Sequence, residues 1–238
     1  MSFLLCGCIL TGCIPPKFIN HPAPEMKVDF TPFGDAGCPL DNNGYYHRCE
    51  EGSVLYNLGC DQLAEVPDEF GGLSPVYPMV VCTYVPYWRD DVADPANTPE
   101  SEYFYNDGGL LPLLVRYVIY KDGEFQLIKN PDEFQAIFAP VDSPEEALSF
   151  ALANKRIYAA YGLKYELTYR YEVGSIEDTY VKTTDVGYLV HAFDYQVAGC
   201  GPHYYYTVDL NVTLNGQVEE INRTKIYRDP KQDGLCVD

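Results

Sequence analysis

Between positions 203 and 213 the chain alternates without a fault. Tyr204, Tyr206, Val208, Leu210 and Val212 fall on one parity, and His203, Tyr205, Thr207, Asp209, Asn211 and Thr213 on the other. A period of two sends successive side chains to opposite faces, so one apolar and one polar parity mark an antiparallel strand with one wet face. No helix accommodates that pattern, which commits the C-terminal region to sheet. Asn215-Gly216, preceded by Leu214, supplies a hairpin turn, and 217–227 returns as the partner strand. Val218 and Ile221 sit on opposite parities of that partner, so a bulge near Glu219-Glu220 is needed to keep the phase. Segment 187–197 predicts a third strand with Leu189, Phe193, Tyr195 and Val197 on one side. Segments 165–171 and 176–183 predict two more.

Upstream, 79–85 reads as a short β-branched strand between Pro78 and Pro86, and 113–121 as a strong one. Asp122-Gly123 then makes a hairpin turn into 124–129. Two helix starts follow. Asn130 caps the first, with Pro131 at its first position and Glu133 in its first turn. Ser143-Pro144-Glu145-Glu146 is a capping box, and Ala147, Leu148, Ala151 and Leu152 make the apolar stripe of the second helix. Residues 33–78 are rich in Gly, Cys, Asp and Asn and read as loops; 88–102 is an acidic loop. The expected fold is therefore α+β, predominantly antiparallel sheet with one or two short helices packed on it and stapled by disulfides.

The nine cysteines bear on compartment. A short apolar run from Phe3 ends in Leu10-Thr11-Gly12-Cys13, and residues 14–32 hold five prolines with no apolar periodicity. The first of these features resembles the lipobox of bacterial lipoproteins. That resemblance implies cleavage before Cys13, acylation of its thiol and new amino terminus, and a membrane-anchored protein at the outer membrane or cell surface. No Lys or Arg precedes the apolar run, which departs from the family pattern. Under this reading residues 1–12 are a signal peptide and 13–35 a lipidated cysteine and Pro-rich tether. Residues 36–129 form a Cys-rich loop region plus β-hairpin, and 130–238 a helix plus antiparallel meander. Six cysteines remain in the mature chain, and an exported context makes three disulfides the expectation. Cys200 enters the 203–213 strand and Cys236 follows its partner, so both lie at one edge of the hairpin and are expected to pair. Cys38, Cys49, Cys60 and Cys82 then pair among themselves in one of three ways.

Acidic residues outnumber basic ones 35 to 16, a net charge of −19, which repels nucleic acid and excludes it as a partner. Tyrosine is abundant, 22 residues against one Trp, as suits half-buried strand faces and polar binding surfaces. His191 reads as a core histidine. His203, three residues after Cys200, invites a Cys/His reading that a disulfide at Cys200 removes. No G-x-S-x-G, H-E-x-x-H, Walker or G-x-G-x-x-G motif occurs, and no catalytic set converges. Asp90, Asp91 and Asp94, with the turn Asp41-Asn42-Asn43-Gly44, offer oxygen donors for calcium, though without EF-hand spacing. From Ser143 to Arg228 the element order, a helix before a meander, resembles cystatin-like and PepSY-type α+β proteins.

The expected role is a non-catalytic, lipid-anchored envelope module binding an envelope protein or a glycan through Tyr205, Thr207 and Asp209. The alternatives are a surface hydrolase or carbohydrate-binding protein, and a calcium-stabilised structural module. No other cofactor is expected.

Overall fold

A computed structural model describes residues 26, 28–39, 48–90, 92, 94–196 and 198–237. The lipobox with Cys13, residues 41–44, His21, His47 and Asp91 lie outside them.

Two antiparallel sheets clasp a pair of helices. The first sheet runs in order β1 (Gln62–Glu65), β2 (Met79–Tyr84), β3 (Leu114–Lys121), β4 (Glu124–Ile128). Asp122 and Gly123 between β3 and β4 both have positive φ, +53° and +87°, as a two-residue turn that follows the strand twist requires. Strand β3 is buried on both faces. Val115, Tyr117 and Ile119 enter the core against the helices, while Val118 joins Val80 and Cys82 on the other side.

That second side is closed by the Cys-rich segment, with α1 (Thr31–Asp35) and α2 (Val54–Leu58). Its bridges are Cys38–Cys49 and Cys60–Cys82. Residues 31–35, expected in the tether, are helical instead. Pro32 fits the first turn of a helix, and Phe33 is buried against Phe30 and Phe125. Strand β1 was not legible as a strand, because Gln-Leu-Ala-Glu lacks β-branched residues; its pairing with β2 makes it one.

The second sheet runs β5 (Arg170–Tyr171), β10 (Val218–Arg228), β9 (Tyr204–Thr213), β7 (Gly187–Tyr195), β6 (Tyr180–Thr184). Segment 165–171 thus contributes only two strand residues. The pair β8 (Gly199–Cys200) and β11 (Cys236–Val237) stands apart, joined by the expected Cys200–Cys236 bridge.

Helices α3 (Pro131–Phe138) and α4 (Pro144–Asn154) fill the space between the sheets. Their caps form as read. Asn130 Oδ1 accepts from Glu133 N–H at 3.0 Å and Ser143 Oγ from Glu146 N–H at 3.1 Å. Glu146 Oε2 accepts in return from the Ser143 amide at 3.0 Å. The apolar stripe of α4 was read too narrowly. Every residue from Glu146 to Asn154 is buried, because a sheet lies on each side of the helix. Its last turn is held by the Tyr117 hydroxyl, which donates to Ala153 O at 3.0 Å. Gly72 touches the helix start so closely that a Cβ there would lie 2.5 Å from the Glu145 carbonyl.

One apolar core joins Val66, Met79 and Tyr117 to Val190, Leu210 and Val212. The regions 36–129 and 130–238 therefore share it.

Candidate functional site

On β9, Val208, Leu210 and Val212 face the helices as the alternation requires. The other parity is less wet than the sequence suggests, because it meets aligned side chains from its two neighbouring strands, β7 and β10.

Three rows cross this outer face. In the first, Tyr180, His191, Asp209 and Asn222 are direct partners across β6, β7, β9 and β10. In the second, Tyr158 pairs with Phe193, which opposes Thr207, which opposes Thr224. In the third, Tyr195, Tyr205, Tyr227 and Tyr171 align across β7, β9, β10 and β5. At about 3.3 Å per residue the first and third rows stand about 13 Å apart.

Two bulges in β10 create this alignment. The register steps from Glu220 opposite Leu210 to Asn222 opposite Asp209, and again from Lys225 opposite Tyr206 to Tyr227 opposite Tyr205. Without the first step Ile221 would face Asp209; without the second, Ile226 would face Tyr205. The parity of Val218 and Ile221 signalled the first bulge, one position early. Nothing in the sequence signalled the second.

The tyrosine row is a stack. Ring centroids are 4.2 Å apart for Tyr195–Tyr205 and 4.5 Å for Tyr205–Tyr227, with planes within 21°. Tyr169 stacks on Tyr227 at 5.3 Å, and Tyr165 leans on Tyr171 at 5.2 Å. The Tyr195 hydroxyl donates to Gln232 Oε1, and Tyr195, Tyr205 and Tyr227 are each partly buried. Beside the row, at the edge of β7, a cavity of about 380 Å³ is lined by Tyr105, Asp107, Arg156, Tyr158, Asp194 and Tyr205, among others. Both carboxylates are paired there, Asp107 with Arg156 and Asp194 with Arg223. A paired-carboxylate hydrolase needs one group as a proton donor and the other as a base or nucleophile. Two arginine-bound carboxylates do not nominate such a division.

Burial and neighbouring phenols push the Tyr227 hydroxyl up to about 12, and burial does the same at Tyr105. Tyr158 rises further, from burial first and then from Tyr227 and Tyr205. An unfolded tyrosine ionises near pH 10. These groups therefore leave stability unchanged below pH 10 and withdraw it as pH climbs through about 12, where the unfolded chain alone gains the charge. A phenolate absorbance titration is expected to show one class of tyrosines ionising near pH 10. A second class is expected to ionise only as near-ultraviolet dichroism is lost. A single transition near pH 10 with the fold intact would contradict this.

The predicted binding residues Tyr205, Thr207 and Asp209 do share the outer face, but each differs from a displayed group. Tyr205 is half-buried within the stack, Thr207 is 8 % exposed, and Asp209 is engaged by its neighbours. His191 Nδ1 donates to Asp209 Oδ1 at 2.5 Å, and Asn222 Nδ2 donates to Asp209 Oδ2 at 3.0 Å. His203 is buried, its Nε2 3.1 Å from Leu235 O, and Cys200 beside it is oxidised.

Of the calcium candidates, Asp90 and Asp94 are among the described residues. Asp90 lines a cavity with Arg48 and Arg89, and Asp94 accepts from Asn97 Nδ2 at 2.7 Å. Among the described residues no three His, Cys, Asp or Glu side chains are grouped to hold a metal ion. No family model matches the chain, and no curated protein or solved structure matches it either.

Proposed function

We propose that this protein is a non-catalytic, glycan-binding module of the bacterial cell envelope, held to a membrane by lipid at Cys13. The in-register tyrosine stack carries the reading. Tyrosine offers apolar ring edges beside a hydroxyl that both donates and accepts, which matches a sugar's alternation of C–H and O–H. Rings already immobilised against each other lose little further freedom when a ligand docks.

Two concave sites flank the row's side of the sheet, of about 380 and 300 Å³, within the range of small-molecule pockets. Such concavities favour a chain of small rings over the broad, continuous contact of about 800 Å² per partner that a stable protein complex needs. A net charge of −19 selects neutral or cationic glycans over polyanions.

The envelope address is supported by Leu10-Thr11-Gly12-Cys13 and by three disulfides that use all six later cysteines. Disulfides of this kind persist in oxidising compartments.

A glycan array probed with the mature chain is expected to give binding to a neutral polysaccharide. The double variant Tyr205→Ala/Tyr227→Ala is expected to bind at least about tenfold more weakly, the scale of one interfacial anchor. A blank array, or equal binding by the folded double variant, would remove the proposal. The address is read separately, by mass spectrometry of the Cys13 peptide from the native host; an unacylated terminus would refute it.

A further inference from the structure

The first row of the outer face forms the floor of the second cavity, about 300 Å³, whose lining includes Tyr180, His191, Thr207, Asp209, Asn222 and Thr224. His191 is only 8 % exposed, and its Nε2 is buried with no hydrogen-bond partner among the described residues. A buried polar atom left unpaired is costly, so such an atom on a residue that lines a cavity points to a ligand.

The imidazole is fixed on three sides. A carboxylate only accepts, so Asp209 Oδ1 at 2.5 Å requires the proton on Nδ1. Asn222 holds the other carboxylate oxygen at 3.0 Å. The Tyr180 ring lies flat on the imidazole, centroids 4.8 Å apart and planes within 6°. With Nδ1 committed to Asp209, Nε2 is the one ring nitrogen left without a partner among the described residues.

We propose that this cavity binds one neutral, hydroxylated ring, a single sugar unit, with His191 Nε2 hydrogen-bonded to a ligand hydroxyl, which can both donate and accept. The inference rests on the glycan reading above and places one saccharide of the bound chain. Glu177 and Asp209 in the lining disfavour anions. A metal ion is also disfavoured, because Asp209 is consumed by His191 and Asn222 and no three-ligand group is present among the described residues. Thr207 and Thr224, opposite one another on β9 and β10, supply further hydroxyls to the same cavity.

The test is a long-range proton–nitrogen spectrum of the full mature chain labelled in histidine, titrated with glucose, galactose, mannose and N-acetylglucosamine. At least one sugar is expected to shift the His191 Nε2 signal saturably. His191→Phe, which keeps a ring against Tyr180, is expected to weaken that sugar about tenfold by loss of one buried hydrogen bond. Asp209→Asn is expected to weaken it while leaving the ring in place, because an amide has one acceptor oxygen where the carboxylate offers one each to His191 and Asn222. If no sugar moves the Nε2 signal, or affinity survives in both folded His191 and Asp209 variants, the inference is overturned and His191 is a structural histidine. Polysaccharide binding lost in Tyr205→Ala/Tyr227→Ala but retained in His191→Phe would overturn this inference and leave the glycan reading standing.

Discussion

Replacing Asp61 with alanine is expected to cost about 3–5 kcal/mol of folding stability, the range for removing one partner of a buried ion pair. Asp61 is fully buried beside the Cys60–Cys82 bridge. Its Oδ2 accepts from the Val85 amide at 2.7 Å, and its two oxygens lie 3.1 and 3.2 Å from Arg89 Nε. Arg89 also donates to Tyr56 O at 2.8 Å and lies over the Tyr56 ring at 4.2 Å. Alanine would leave a guanidinium and an amide buried without their acceptor. The contrast is Lys129, whose contact with Glu102 at 2.9 Å is partly exposed on both sides. Exposed pairs are worth about 0–1 kcal/mol, and Lys129→Ala is expected to stay near that range. Urea unfolding with the disulfides intact measures both, as a shift in midpoint at constant slope. Equal, small shifts for the two variants would mean that Asp61 is structurally replaceable.

Phe150→Ala is expected to cost a similar amount, about 3–5 kcal/mol, through the cavity it leaves. Phe150 is fully buried in α4 and meets Phe134 edge to face at 5.0 Å. Phe134 in turn touches Phe138 at 4.6 Å and Phe104 at 5.9 Å. On another side lies the β9–β10 turn, where a Cβ at Gly216 would come 2.5 Å from the Phe150 ring. With a sheet on either side of α4, the walls of this cavity have little room to collapse. Thermal unfolding of Phe150→Ala and Phe150→Leu checks this; the leucine variant is expected to lose less. A loss under about 1 kcal/mol for alanine would show that the walls close after all.

Both residues illustrate what a sequence withholds. Asp61 is one acidic residue among 35, and its neighbours in the chain carry no sign that Arg89 will reach it. Phe150 falls off the stripe assigned to α4, which the sequence presents as a helix with one apolar face. Stacking a second sheet against that helix makes all its faces interior.

The outer face divides the same way. Alternation from 203 to 213, the Asp122-Gly123 and Asn215-Gly216 turns, both helix caps and the Cys200–Cys236 pairing were legible because each depends on residues near in sequence or on one hairpin's geometry. The direction of the polar parity on β9 was legible too, which is why Tyr205, Thr207 and Asp209 were placed on one face. What they face was not. Tyr195, Tyr227 and Tyr171 come from three other strands, and their register with Tyr205 depends on a bulge at Ile226 that leaves no periodic trace. His191 likewise reads as an ordinary core residue until β9 sets Asp209 opposite it and β10 sets Asn222 beyond.

By itself, then, the sequence determined local structure: the strand period, turns, caps and an antiparallel, disulfide-stapled class of fold. These follow from backbone geometry within a few residues. Only the tertiary structure decided that α4 is interior, that Asp61 is an ion-pair partner, and that one face holds a tyrosine stack and a fixed imidazole. Those depend on strand register and sheet stacking, where a one-residue step moves a side chain to the opposite face.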